Sequence, residues 1–205
     1  MNKEIKDISL PFYEGMPVYP GNPEVTVTEE SGATSTHSKI CLGTHAGTHI
    51  DAPRHVFEEG KGIDDLELSK LIGPCRVLDM THVKECVRQG DLEKENVQEG
   101  ERILCKTANS NRGFDSFYDD YVYLDGDAAE YLAHVGIVLF GIDSFSVKKR
   151  GGDDTRPHDS LLKKEIPIIE GISLKDIEPG AWELIALPVK FRELDGAPAR
   201  VVLMH

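Results

Sequence analysis

Apolar residues in this chain come as short alternations and short runs, cut apart by glycine, proline and charge. That pattern predicts many strands and few helices. Val25–Thr28 and Thr36–Leu42 alternate and are rich in β-branched residues, so both read as strands. Cys75–Met80, Arg102–Lys106, Ile166–Ile169, Glu183–Val189 and Arg200–Met204 add further strands. Ile137–Ile142 is apolar without alternation, as expected of a strand covered on both faces. Three short segments read as helices. They are Asp91–Gln98, opened by a capping residue and ended at Gly100, Asp127–His134, closed by Gly136, and Asp159–Lys164. Strands alternating with short helices predict the α/β class, as a mixed domain. Because strands outnumber helices, β-sheets should pack on each other and on a helical layer.

Composition narrows the function. The 205 residues are enough for one domain, spanning 1–205, with a core that folds unaided. A net charge of −13 disfavours nucleic acid or an anionic membrane as partner, while a bound cation could still attract an anionic substrate locally. The apolar run at 136–142 is far too short to cross a bilayer. Met1–Asp7 lacks the apolar core of a signal peptide. Four scattered cysteines, with no C-x-x-C pair, suggest reduced thiols in the cytosol rather than a disulfide frame. Cys41, four residues before His45, reads as a small buried apolar residue. The stretch Pro11–Pro23, dense in proline, glycine and aromatics, reads as an ordered loop or a flexible arm, whose apolar side chains either line a pocket or pack on the surface.

The most concentrated chemistry lies between His45 and His55, where His45, His49, Asp51 and His55 follow the spacing H-x₃-H-x-D-x₃-H. All four are metal-ligand types suited to Zn²⁺ or Mn²⁺. An extended backbone would present His45, His49 and Asp51 on one face, whereas a helix would turn Asp51 away. Gly43, Gly47, Thr44, Thr48 and Pro53 argue against a helix here. Ala46 stands where a zincin would carry its general-base glutamate, so that motif is excluded. Taken alone, any one of these histidines would read as solvated or hydrogen-bonded in a loop. Arg54, inside the motif, could meet a carboxylate or be solvated.

The motif H-x-G-T-H-x-D-x-P-x-H resembles the signature of the cyclase family of metal-dependent hydrolases, which includes bacterial kynurenine formamidases and isatin hydrolases. The resemblance extends to Asp7–Leu10 with Met16–Gly21, to Gly141–Val147, to His158 with Ile166, Glu170 and Gly171, and to Glu183–Lys190 with Asp195–Arg200. It implies a swivelling β/β/α, cyclase-like fold. It implies two divalent metal ions, Zn²⁺ or Mn²⁺. His45, His49 and Asp51 match the first ligands, with Asp51 bridging; His158 matches a ligand of the second ion and Glu170 a bridging carboxylate. His55 matches the catalytic histidine, a proton donor and acceptor. A small-molecule substrate and a homodimer or higher homo-oligomer are also implied.

The resemblance points to an arylformamidase converting N-formylkynurenine to kynurenine and formate in tryptophan breakdown. One departure stands out. Tyr19 occupies the place where kynurenine formamidases tend to carry a substrate-binding tryptophan, and tyrosine can still stack on an aniline ring. The alternatives are hydrolysis of another cyclic amide or lactone of the isatin kind, and a non-catalytic metal-binding protein. A structural site is closed by its protein ligands, and His55 beside the first three argues for an open, catalytic one.

Overall fold

The computed structural model describes residues 4–205, and Met1–Lys3 of the polar opening lie outside the described residues. The strands are β1 (Ile5–Asp7), β2 (Thr26–Ser31), β3 (Thr36–Cys41), β4 (His49–Asp51), β5 (Ile72–Asp79) and β6 (Cys86–Val87), then β7 (Arg102–Lys106), β8 (Tyr123–Leu124), β9 (Leu139–Ile142), β10 (Ile168–Glu170), β11 (Gly180–Pro188) and β12 (Gly196–Met204). The helices are α1 (Leu68–Leu71), α2 (Gln89–Lys94), α3 (Asn109–Arg112), α4 (Gly126–Val135) and α5 (Arg156–Leu162).

Seven strands close into a barrel in the order β12–β11–β5–β7–β9–β10–β4, with β4 returning to pair with β12. The expected mixed α/β layering is present, and its stacked sheets are opposite walls of this one barrel. β12 permits the closure because it is nine residues long. Its Gly196–Pro198 end pairs with β4, and its Val202–Met204 end pairs with β1.

The two halves of the barrel bury their strands differently, and the sequence pattern follows. β11 and β12 are antiparallel and alternate, sending Trp182, Leu184, Ala186, Ala197, Ala199, Val201 and Leu203 into the barrel. β5, β7, β9 and β10 run parallel. Parallel strands need crossover connections, and here helices cover their outer face. In β7, Leu104 enters the barrel while Ile103 and Cys105 meet the helical layer. The helical layer adds Leu92 of α2, Ala128, Ala129 and Leu132 of α4, and Leu161 and Leu162 of α5. Both faces of these strands are therefore buried, which is why β9 reads as an unbroken apolar run.

Boundaries shift where local chemistry outweighs periodicity. Asp91 is not the cap of α2 but its third helical residue. Its carboxylate accepts the Arg88 N–H at 3.1 Å, so the helix starts at Gln89 and stops at Lys94, before Asn96 turns to a φ of 52°. Asp125 caps α4 by accepting from Asp127 N–H, and Gly136 ends it in the left-handed conformation, φ 81°. α5 begins at Arg156, three residues before the expected start, with Pro157 in its first turn. Cys41 is exposed on the β2–β3 hairpin rather than buried, and all four cysteines are free thiols.

The turn after β10 ties the barrel to the loop preceding β4. Gly171 has a φ of +65°, and a Cβ there would run into the backbone carbonyl of Gly47. The Thr48 hydroxyl donates to the Gly171 carbonyl and accepts the Leu10 N–H at 2.8 Å. Gly171→Ala should therefore cost about 2–4 kcal/mol, from left-handed strain plus overpacking. Urea denaturation reads this as a lowered midpoint; an unchanged midpoint would show that the contact has no role in stability.

Candidate metal centre

The barrel's outer face, beneath the start of α5, gathers the ligand-type residues. β4 and β10 are antiparallel neighbours with Glu170 opposite His49 in register. Ile50 and Ile169 point into the barrel, so the flanking His49, Asp51 and Glu170 point outward. All three outward side chains are buried. α5 brings His158 over them, with its Nε2 3.3 Å from Glu170 Oε1 and 3.7 Å from Asp51 Oδ2. Only His49–Asp51 is strand. The expected extended run from His45 is instead a turn, with Gly47 at φ +55°. That turn still delivers His45, whose Nδ1 lies 2.8 Å from Asp51 Oδ1. A 3₁₀ turn at Pro53–His55 returns His55 so that its ring centroid is 4.1 Å from that of His45 and 5.2 Å from that of His158.

His45, His49, Asp51, His55, His158 and Glu170 are thus brought together from three stretches of the chain, 45–55, α5 and β10. Tyr19 also reaches the site. With Asn22, Phe145, Ser146, Lys148 and Thr155 it lines a cavity of about 300 Å³ that opens onto His45, His55, His158 and Glu170. Arg54 is exposed and outside this lining.

Asp195 opens the Asp195–Arg200 segment of the resemblance, but its place in the site was not assigned from the sequence. It lies 144 residues beyond Asp51, just before β12, and accepts from His45 Nε2 at 2.7 Å and from the Thr44 hydroxyl at 3.1 Å. Its other neighbour is His55 Nδ1 at 3.9 Å. Nothing local in the sequence marks it; only closure of β12 onto β4 brings it to the turn. The loop after β9 belongs to the Gly141–Val147 segment of the resemblance, which left the part played by Asp143, Ser144 and Ser146 open. There the Val147 N–H donates to Glu170 Oε1 at 2.5 Å, while the Ser144 hydroxyl donates to the Ser146 carbonyl at 2.6 Å and fixes the loop. Asp143 anchors the loop's base. Burial pushes its carboxyl up to about 6, and donors from Thr107 and Ser110 surround it.

The electrostatics favour a cation. His49 Nδ1–H donates to the Gly47 carbonyl at 2.9 Å, which turns Nε2 inward. Nε2 then faces Asp51 Oδ1 and Glu170 Oε2, each at 3.4 Å. His49 Nε2 and Asp51 Oδ2 are fully buried without a hydrogen-bond partner. Burial opposes charge on these rings, but the carboxylates override it. Asp51 and Glu170 hold His49 up at about 10, and Asp195 and Asp51 hold His45 up at about 9. His158 is raised by Glu170 against the same burial. His55 goes the other way, lowered by burial and by the neighbouring imidazoles. Two three-residue groups have ligand atoms close enough for one ion, His45–Asp51–His55 and His49–Asp51–Glu170. Orphaned buried atoms, a mixed imidazole and carboxylate donor set and a net pull on positive charge all fit divalent metal.

Comparison with known proteins agrees with the class that this barrel and site define. Residues 6–149 match the Cyclase family model, described as "Putative cyclase". A kynurenine formamidase of Salinibacter ruber (strain DSM 13855 / M31) is 37% identical over 202 residues, covering 96% of this chain and 95% of that protein. A solved structure of a potential metal-dependent hydrolase with cyclase activity superposes with a TM-score of 0.90 at 37% identity, covering 99% of this chain and 98% of its own. An isatin hydrolase bound to the product analogue thioisatinate shares the fold, with a TM-score of 0.89 at 21% identity over 99% of this chain and 92% of its own. The chain belongs to the cyclase family.

The raised histidines predict a pH effect in protein treated with EDTA. In the folded protein His45, at about 9, and His49, at about 10, lie above the ordinary histidine value of 6.5. Their stabilisation is complete below pH 6.5 and is lost as pH rises through 9 to 10. The melting temperature in EDTA should therefore fall between pH 7 and about 9.5. Saturating Zn²⁺ or Mn²⁺ should suppress the fall, since the ion takes the proton's place. Equal pH dependence with and without metal would refute the assignment.

Proposed function

We propose that the protein is a metal-dependent amide hydrolase, and specifically an arylformamidase that converts N-formylkynurenine to kynurenine and formate. The observation that carries the reading is the convergence of His49 Nε2 and Asp51 Oδ2, buried without a hydrogen bond, with Glu170, His158 and His45, beside the lowered imidazole of His55. The curated formamidase relative supports the amide class.

In this reading two divalent ions, Zn²⁺ or Mn²⁺, would be held by His45, His49, Asp51, His158 and Glu170. Ions held there supply positive charge that polarises the carbonyl and acidifies a water. His55 takes the proton from the attacking water and delivers it to the leaving nitrogen as the C–N bond breaks. Its lowered pKa keeps the ring neutral, and so ready to accept, at neutral pH. Tyr19 and Phe145 give the cavity an aromatic wall against which the substrate ring packs. Asp195 orients His45 through its Nε2, as carboxylates do for ligating histidines. Work in the cytoplasm, in tryptophan breakdown, and as a homodimer or larger homo-oligomer completes the reading. The exposed β2–β3 hairpin, with Ile40 outward, offers surface for such assembly. A second reading, hydrolysis of an isatin-like cyclic amide or lactone, draws on the shared fold of the isatin hydrolase.

The test is hydrolysis of N-formylkynurenine by chelator-stripped protein before and after addition of Zn²⁺ or Mn²⁺. Turnover restored by either ion supports the formamidase and names a competent metal. Bound metal with no turnover moves the assignment to cyclic amides and lactones. His55→Ala should keep its metal, by elemental analysis, and lose about 10²–10⁴-fold in kcat. Full activity in that variant would remove His55 from the mechanism. His49→Ala and Asp51→Asn should instead lose metal.

A further inference from the structure

Four cations lie between Lys148 and Arg156, on the loop that closes one side of the cavity. Three are engaged. Lys149 pairs with Glu85 at 3.2 Å. Arg150 pairs with Asp119 at 3.7 Å and lies over the Tyr19 ring at 5.0 Å. Arg156 pairs with Asp127 at 2.6 Å and Asp154 at 2.8 Å. Lys148 has no carboxylate within 4 Å among the described residues, although the chain carries a net charge of −13. Asp154 feels its charge, but Asp154 is bound by Arg156. Lys148 is half-buried and lines the cavity beside Tyr19, Phe145 and His158. A lysine beside a site built to hold cations opposes them by Coulomb repulsion, unless it serves the ligand. Asp159 lines the same cavity. One of its oxygens takes the Thr155 hydroxyl at 2.6 Å, and it has no cationic partner within 4 Å among the described residues.

We propose that Lys148 and Asp159 form a subsite for a zwitterionic α-amino-acid end of the substrate, Lys148 taking its carboxylate and Asp159 its ammonium. The aryl ring then packs against Tyr19 and Phe145, with the scissile amide toward His55. A cavity of about 300 Å³ suits one ring with a short polar side chain. This subsite rests on the formamidase reading and assigns the specificity that reading leaves open.

The test is calorimetric binding of two probes to the metal-loaded protein. They are L-kynurenine and 2-aminoacetophenone, which keeps the ring and ketone but lacks the amino-acid end. Lys148→Met should weaken L-kynurenine about tenfold and Asp159→Asn somewhat less, each leaving 2-aminoacetophenone within about twofold. Lys148→Arg should retain most of the affinity. Unchanged L-kynurenine binding in both variants, or equal loss of both probes, overturns the subsite. If wild type still hydrolyses N-formylkynurenine in that case, the formamidase reading stands without it. If wild type neither hydrolyses N-formylkynurenine nor binds L-kynurenine, both fall together.

Discussion

Two carboxylates buried beside each other on the barrel wall set the terms for the rest of the structure. Asp51 and Glu170 are almost wholly inaccessible, and each raises the cost of charge on the other. Leaving such a pair without positive charge is prohibitive in a protein interior. The fold answers with imidazoles rather than lysines. His45, His49 and His158 arrive from a turn, a strand and a helix, and all three are pulled toward the charged form. A field that stabilises an imidazolium at this position also stabilises a divalent ion, and the ion needs the imidazole nitrogen that the proton would otherwise occupy.

Rigidity comes from the barrel. His49 and Glu170 are cross-strand partners, so their separation is fixed by a backbone ladder rather than by flexible side chains. Ile50 and Ile169, alternating with them, are locked in the barrel core. The loop carrying Val147 and Ser146 then clamps Glu170, and Asp143 anchors that loop through Thr107 and Ser110. Binding groups built on strands with packed neighbours hold their geometry better than groups on loops. The loops contribute Tyr19 and Lys148, which line the cavity above this rigid wall.

What the sequence revealed follows from the range of the interactions involved. The His45–His55 cluster was legible because its members are close in sequence and chemically specific. The continuous apolar run of β9 revealed a doubly covered strand, because parallel strands under helices lose the alternation that marks a half-exposed one. His158 and Glu170 needed a family resemblance, since each sits alone among ordinary residues. Asp195 remained hidden for a different reason: its role exists only after β12 pairs with β4, a contact between segments far apart in the chain. The start of α2 was misplaced because Asp91 acts at the third helical position, where its carboxylate reaches back to Arg88 N–H.

The four histidines also show how one cluster can divide its labour. His45 and His158 each have a carboxylate oxygen within 3.3 Å, and His49 has two at 3.4 Å. His55 has none closer than Asp195 Oδ2 at 3.9 Å, and its ring lies against His45 and His158 instead. At His55, burial and the neighbouring imidazoles together outweigh the pull of Asp51 and Glu170, while at the other three the carboxylate partners outweigh burial. Groups of one chemical type pushed in opposite directions by their surroundings take different roles. The three that favour a cation are suited to hold one. The fourth is drawn toward its neutral form beside them, the opposite of what its three neighbours feel.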